Sequence, residues 1–347
     1  MASSVGNSAW LEWMKTLMGG VSRQAHAATF PPDRFYCLLD EVPAHLVPQQ
    51  AFRAMQAQRD GAALSLNPNC QVRSAEDLPD EFVQRKELLP GFALQGAIAW
   101  VRGGPGESFL PFWLGPELEA LVRGLRPNEP VPASIPERTQ ALLAAAEILV
   151  PEAWEAKRRA QYQWMTERAA PLFRSKGYAP LGGLIHPFHI AALRRYYRYL
   201  IRSGAVQLGD GQSPLRYVAY NEPVLRFFHQ QIATSLSAVA GEALKPSYVY
   251  LASYLSGADL KKHTDREQCE FSVTLCLDFS PEPVLATPWP IRLDTPAGTV
   301  TVYQALGDGL AYRGTQLPHY RDKLGQGQTS TSVFFHYVGA DFSGSLD

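Results

Sequence analysis

No single residue class in this 347-residue sequence is abundant enough to name a partner by composition. Basic residues are not in surplus: 32 Lys plus Arg stand against 33 Asp plus Glu, a formal net charge of -1. Nucleic acid and anionic membrane both call for a cationic excess, so the balance argues against either as a partner. Cysteine is scarce. The four residues, Cys37, Cys70, Cys269 and Cys276, form no CxxC pair and lack the spacing of a disulfide-stapled scaffold. Reduced thiols in a cytoplasmic protein are the expectation. No apolar run is long enough to span a bilayer, and residues 10–18, broken by Glu12 and Lys15, do not read as a signal peptide. Gly103-Gly104-Pro105-Gly106 lacks the following Lys-Ser/Thr of a phosphate loop. Internal repeats, low-complexity tracts and a nucleophile elbow are also missing.

What is present is ordinary for a globular chain, with 46% hydrophobic and 19% charged residues. The length suits one large domain or two moderate ones. Trp10, Leu11, Met14, Leu17 and Met18 share a helical face, expected to dock on the protein's own core. Helical spacing returns in residues 116–123 and 137–150. It returns again after Pro151, where Trp154, Tyr162, Met165, Ala169, Leu172 and Phe173 recur and Pro171 is expected to kink or end the helix. Residues 177–187, rich in Gly and Pro, read as a junction. Beyond it lie a helix over 190–201 with Arg194, Arg195, Arg198 and Arg202 on one side, read as a solvated face, and an amphipathic helix over 223–240. From Tyr248 the pattern turns to strands. Phe271, Val273, Leu275, Leu277 and Phe279 alternate with polar residues at a period of two. The expected class is α+β, with a mainly helical region over residues 1–178 and a jelly roll over residues 179–347.

His263-Thr264-Asp265 is the only His-x-Asp in the chain. In extended backbone, positions two apart face one side, so both side chains can reach one ion. His319 follows after enough chain for several strands to return to the same place. Two neutral imidazoles and one carboxylate on one face of an ion leave the opposite positions open, the arrangement of iron(II) oxygenases, although the same donors also suit zinc.

The segment Tyr254-x-x-Gly257-x-x-Leu260-x-x-His263-x-Asp265 resembles the start of the iron site in prolyl 4-hydroxylase-like 2-oxoglutarate oxygenases. Gly307-Asp308, Tyr312-Arg313-Gly314 and His319 are similar to that family's second histidine region. The resemblance covers roughly residues 180 to 340. It implies a double-stranded β-helix with iron(II) on His263, Asp265 and His319. With it come 2-oxoglutarate and molecular oxygen, and decarboxylation to succinate coupled to hydroxylation of a peptide side chain or amino-acid-like molecule. Asp265 fits hydroxylation, since related halogenases lack that carboxylate. The family carries an Arg or Lys about ten residues beyond the second histidine; here the chain reads Gly327-Gln328-Thr329-Ser330-Thr331-Ser332. A buried dianion still needs cationic or strong hydrogen-bonding partners. Arg321, two positions after His319, is the first candidate and Arg313 the second. Tyr254 resembles the family's cosubstrate tyrosine, and Thr329 or Ser332 can add hydroxyls.

Two other functions use the same residues. A zinc hydrolase would need a general base, for which Glu267 and Glu270 are at hand. A jelly-roll binding module would keep the metal site as a vestige. His186 and His189 read as helix-end or solvent-facing residues, His336 as a packed or supporting histidine, and Asp308 as turn chemistry. Residues 1–178, set off by the 177–187 junction, either shape substrate access or simply cover one face of the barrel.

Overall fold

Two apolar runs without a helical or alternating period, residues 97–101 and 109–114, become the central strand and one edge strand of a small sheet. The computed structural model describes residues 30–346, apart from 75–76, 80–81, 83–88, 104–107 and 153; the stripe from Trp10 to Met18 and most of the Gly103–Gly106 run lie outside the described residues. In the first half, helix α1 (Leu46–Arg59) precedes β1 (Leu64–Leu66) and β2 (Cys70–Ser74). Then come β3 (Ala97–Arg102), β4 (Phe109–Leu114), α2 (Pro116–Gly124), α3 (Glu137–Ala145), β5 (Leu149–Pro151) and α4 (Trp154–Lys176). Strands β2, β3 and β4 form an antiparallel sheet and β1 pairs with β5. The region expected to be mainly helical thus also carries five short strands, which the sequence reading does not anticipate. β3 and β4 are buried nearly end to end, and a strand covered on both faces leaves no alternation to read. Helix α4 runs through Pro171 to Lys176.

The second half begins at β6 (Tyr178–Leu181), followed by α5 (Pro187–Arg202), β7 (Gln207–Leu208), β8 (Arg216–Tyr220) and α6 (Pro223–Ala240). The remaining strands are β9 (Leu244–Tyr254), β10 (Leu260–His263), β11 (Phe271–Ser280), β12 (Ile291–Thr295), β13 (Gly298–Val302), β14 (Gly309–Arg313), β15 (His319–Arg321) and β16 (Thr329–Gly339). They make a seven-stranded antiparallel sheet in the order β6-β14-β11-β16-β9-β8-β7 and a four-stranded one in the order β10-β15-β12-β13. Two apolar clusters lie on the large sheet's inner side. One joins Tyr254, Phe279 and Phe334 to Trp289, in the segment before β12; the other joins Leu310 and Tyr312 to Ile291 and Leu293 of the small sheet. The interior between the sheets is where the candidate site residues His263, Asp265 and His319 lie.

Helices α5 and α6 are held between the outer face of the large sheet and the first half. On one side, His229 on α6 donates a hydrogen bond to the His336 carbonyl at 2.7 Å, and Tyr337 donates to the His229 carbonyl at 3.0 Å. On the other, Phe228 meets Phe35, Phe227 meets Phe92, and His189 donates to the Pro111 carbonyl at 2.9 Å. One continuous apolar core runs through both halves. His186 caps α5, accepting from the Phe188 N–H through its side chain. The arginine face of α5 is not simply solvated: Arg194 and Arg198 both pair with Asp278, and Arg195 pairs with Glu41. Among the described residues, no helix is long and apolar enough to cross a membrane, and all four cysteines are free thiols.

Candidate active site

The pairing of β10 with β15 sets His263 directly opposite His319, a cross-strand contact that brings two side chains together without intervening loop. Their rings lie 4.4 Å apart. Asp265 follows β10 by two residues, and its Oδ1 stands 3.5 Å from the Nε2 of both histidines. The three ligand atoms lie within 4.8 Å of one another. Each ring is oriented from behind: the His263 Nδ1–H donates to the Lys261 carbonyl at 2.7 Å, and the His319 Nδ1–H to the Leu317 carbonyl at 3.0 Å. Those bonds fix the tautomer that leaves both Nε2 lone pairs free for an ion.

Asp265 is itself supported. Its backbone N–H donates to the Gly314 carbonyl at 2.9 Å, and its Oδ2 accepts from Ser272 Oγ at 2.9 Å. The same hydroxyl lies 2.9 Å from His336 Nδ1. Burial acts to raise the Asp265 carboxyl, but His263 and His319 beside it outweigh burial and hold it well below the usual carboxylate range. Burial pushes His336 down to about 4. His336 is therefore a neutral neighbour that orients Asp265 through Ser272, as its reading as a supporting histidine anticipates.

The triad opens into a cavity of about 390 Å³ walled by Asp210, Gln212, Arg216, Tyr220, Tyr248, Tyr250, Tyr254, Leu260, Arg266, Tyr312, Phe334 and His336. Tyr254 is on this wall and fully buried, where its sequence motif puts it. Arg321 shares the inward face of β15 with His319, and both are buried while Tyr320 between them is half-buried. The Arg321 guanidinium donates to the Trp289 carbonyl at 2.6 Å and to Gln304 Oε1 at 3.0 Å. Among the described residues no carboxylate pairs with it. Its Nε is buried without a partner, as are Thr274 Oγ1 and Ser332 Oγ. Thr274 is two residues along β11 from Ser272, so it shares that inward face. Ser332 sits opposite Cys276 on the same face. Gln304 joins the set, donating to the Thr274 carbonyl at 2.9 Å.

Arg313 and Thr329 are elsewhere. Arg313 lies over the rings of Phe173 and Phe271 and lines a different cavity with Arg174 and Lys176. Its neighbours in sequence alternate faces, so it points away from the interior that Tyr312 enters. Thr329 begins β16 opposite Ser280; neither it nor Arg321, Thr274 or Ser332 is on the cavity wall, but Ser332 is the hydroxyl the strand turns inward. Neither Glu267 nor Glu270, the two bases considered for a zinc hydrolase, is on that wall.

Arg216 and Asp210 have no counterpart in the sequence reading. Strand pairing puts Arg216 opposite Tyr254. Its guanidinium donates to Asp210 at 2.9 Å, to Gln212 at 2.7 Å and to the Tyr254 hydroxyl at 3.3 Å. Tyr250 also donates to Asp210. Burial tends to raise Asp210, and the bonds from Arg216 and Tyr250 bring it down to about 2. The one available signal was the spacing of Tyr248, Tyr250 and Tyr254, all at even steps along one strand. No described residue of the first half lines the cavity.

No family model and no curated protein matches the sequence. Among solved structures, the chain is similar to a Pseudomonas putida prolyl-4-hydroxylase. The identity is 16%, over 50% of this chain and 99% of that one, with a TM-score of 0.41. It is similar also to an oxidoreductase of the 2OG-Fe(II) oxygenase family from Burkholderia pseudomallei (13% identity, 51% and 92% covered, TM-score 0.40). A third is HygX from Streptomyces hygroscopicus with nickel and 2-oxoglutarate bound (10% identity, 50% and 87% covered, TM-score 0.41).

Proposed function

We propose that the chain is an iron(II)- and 2-oxoglutarate-dependent dioxygenase on a double-stranded β-helix, hydroxylating a peptide side chain or an amino-acid-like molecule. His263, Asp265 and His319 would hold the iron, and Arg321 with Thr274 and Ser332 would hold the far carboxylate of 2-oxoglutarate. The observation that carries the reading is Arg321. A guanidinium at 4% exposure with no acid partner among the described residues and an unpartnered Nε costs free energy unless an anion joins it. It sits two residues from a metal-ligand histidine. A hydrolase has no use for a buried cation there, whereas a dicarboxylate bound at the metal needs one.

Bound iron and cosubstrate would supply the oxidising chemistry. The chain's own residues do the rest. The backbone carbonyls of Lys261 and Leu317 keep both imidazoles in the metal-binding tautomer. Ser272 and Gly314 hold Asp265 in place. The walls of tyrosine and phenylalanine replace bulk water beside the reacting centre with fixed, weakly reactive surface. Molecular oxygen and substrate would enter through the cavity between Arg216, Tyr220 and Arg266.

Anaerobic titration tests the assignment. Addition of 2-oxoglutarate to the ferrous protein should produce the visible charge-transfer absorption of a keto acid chelated to iron, and Asp265→Ala should lose it together with bound iron. Absence of that absorption in the unaltered protein, or full iron occupancy in Asp265→Ala, overturns the reading.

A further inference from the structure

Beside the triad, a second group of ligand atoms converges. Asp265, Cys269 and His336 each offer one atom, and all three lie within 4.8 Å of one another. Cys269 is on the short turn that leads into β11, so it reaches back toward Asp265, while His336 comes from the neighbouring strand β16. Cys269 and His336 are 1% and 6% exposed. Both still border open space: His336 lies on the wall of the triad cavity, and Cys269 lies on that of an adjoining one of about 470 Å³ that also includes Asp265 and Tyr248. The Tyr248 hydroxyl lies 3.0 Å from the thiol, a polar contact for a sulfur that a merely packed cysteine would lack.

We propose that Cys269, His336 and Asp265 form a second metal site that takes a thiophilic divalent ion of the zinc class and competes with the triad for Asp265. One sulfur, one imidazole and one carboxylate are a zinc-type donor set, and a fourth position is left to water from the adjoining cavity. Iron(II) at the triad has only nitrogen and oxygen donors, so ligand softness sorts the two ions. Binding exchanges the thiol proton for the metal: the S–H bond breaks, the sulfur–metal bond forms, and the proton leaves to solvent. Because Asp265 belongs to both groups, an ion on the thiolate draws the carboxylate from the triad and raises the iron concentration needed to fill it. The proposal shares Asp265 with the oxygenase reading but does not depend on it.

Cobalt(II) is the probe, added without oxygen to the metal-free full chain. A thiolate ligand gives cobalt an intense near-ultraviolet charge-transfer absorption that imidazole and carboxylate do not. The band is expected in the unaltered protein and in His319→Ala, and is expected to vanish in Cys269→Ser. Its absence from the unaltered protein, or its persistence in Cys269→Ser, overturns the proposal. As a check that does not depend on how the serine variant folds, zinc should protect Cys269 from iodoacetamide in the His319→Ala protein, read by mass spectrometry of the peptide containing it. Equal alkylation with and without zinc would refute the site. Loss of the iron–keto acid absorption with the thiolate band intact would count against the oxygenase reading alone.

Discussion

Gly314 lies against the carboxylate of Asp265 so closely that a Cβ on the glycine would overlap Asp265 Oδ2 and the Cys269 carbonyl, and would come within 2.8 Å of Ser272 Oγ. The backbone N–H of Asp265 donates to the carbonyl of the same glycine. Gly314 thus seats the Asp265 carboxylate by having no side chain. Gly314→Ala is expected to push Asp265 out of line and weaken metal binding by about 10–100-fold, the scale seen when a ligand's support is lost. Manganese(II) titration of the metal-free variant checks this, and an affinity equal to that of the unaltered protein would sink it.

Ser272 is the other support, and its loss should be milder in structure. Its hydroxyl bridges Asp265 and His336 at 2.9 Å to each. Ser272→Ala leaves Asp265 Oδ2 without its donor while adding no bulk. The expected result is weaker manganese binding, by about tenfold, with an unchanged urea midpoint. A lower midpoint at unaltered affinity would show that the hydroxyl serves the core rather than the metal.

Arg321→Met separates recognition from stability. The methionine removes a buried cation that no carboxylate of the described residues offsets, and replaces it with apolar bulk of similar length. Exchanging buried charge for apolar volume is often neutral or stabilising. The variant should therefore melt no lower than the parent when free of cosubstrate. The thermal shift that 2-oxoglutarate gives the parent should shrink, since a charge-assisted bond of this kind contributes about 1.5–3 kcal/mol. Titrations that overlay the parent's would remove Arg321 from the site.

Why the triad could be read from the sequence and Arg216 could not is a matter of range. His263 and Asp265 are two residues apart, and strand periodicity alone puts them on one side. Their partner His319 needed only the family pattern around it. Arg216 reaches the cavity because β8 pairs with β9, and Asp210 because a turn folds back onto Arg216; neither pairing leaves a local mark. The arginines of α5 looked solvated for the same reason, since Asp278 lies 80 residues or more beyond them. In β3 and β4 the difficulty is different: complete burial erased the alternation that identified β11. The anchor shows an intermediate case. The inward face of Arg321 followed from its spacing to His319; Ser332 and Thr329 are three positions apart and so on opposite faces, but which of those faces is inward only the pairing of β16 shows.

Acid stability should be governed by histidines in the packing between the halves. Burial pushes His189 from its ordinary 6.5 down to about 4. A folded-state value below the unfolded one means that the unfolded chain binds more protons, so stability rises with pH through that interval. It is complete above 6.5 and is lost as the pH falls toward 4, by on the order of 3 kcal/mol from this residue. His189→Phe, which keeps the stacking against Phe112 and removes the titrating group, should flatten the dependence of urea midpoint on pH between those values. Parallel curves for variant and parent would place the acid sensitivity elsewhere.

The first half of the chain should prove inseparable from the second, despite the Gly- and Pro-rich junction between them. Were it a detachable access domain, its residues would stand at the cavity, yet those described pack on the far side of α5 and α6. Phe188 meets Phe112, Phe227 meets Phe82 and Phe92, and Phe228 meets Phe35. All three phenylalanines of α5 and α6 are at 4% exposure or less. A chain beginning at Gly177 would bare them together with Val224, which lies against Gly91. Each such side chain contributes about 1.5–3 kcal/mol when buried, so the four of them are comparable with the whole stability of an ordinary domain, about 5–15 kcal/mol. The shortened chain is expected to be insoluble or to lack a cooperative urea transition, read by circular dichroism. A soluble, cooperatively unfolding product that still binds manganese would show instead that the barrel stands alone, and would return the first half to a role in substrate access.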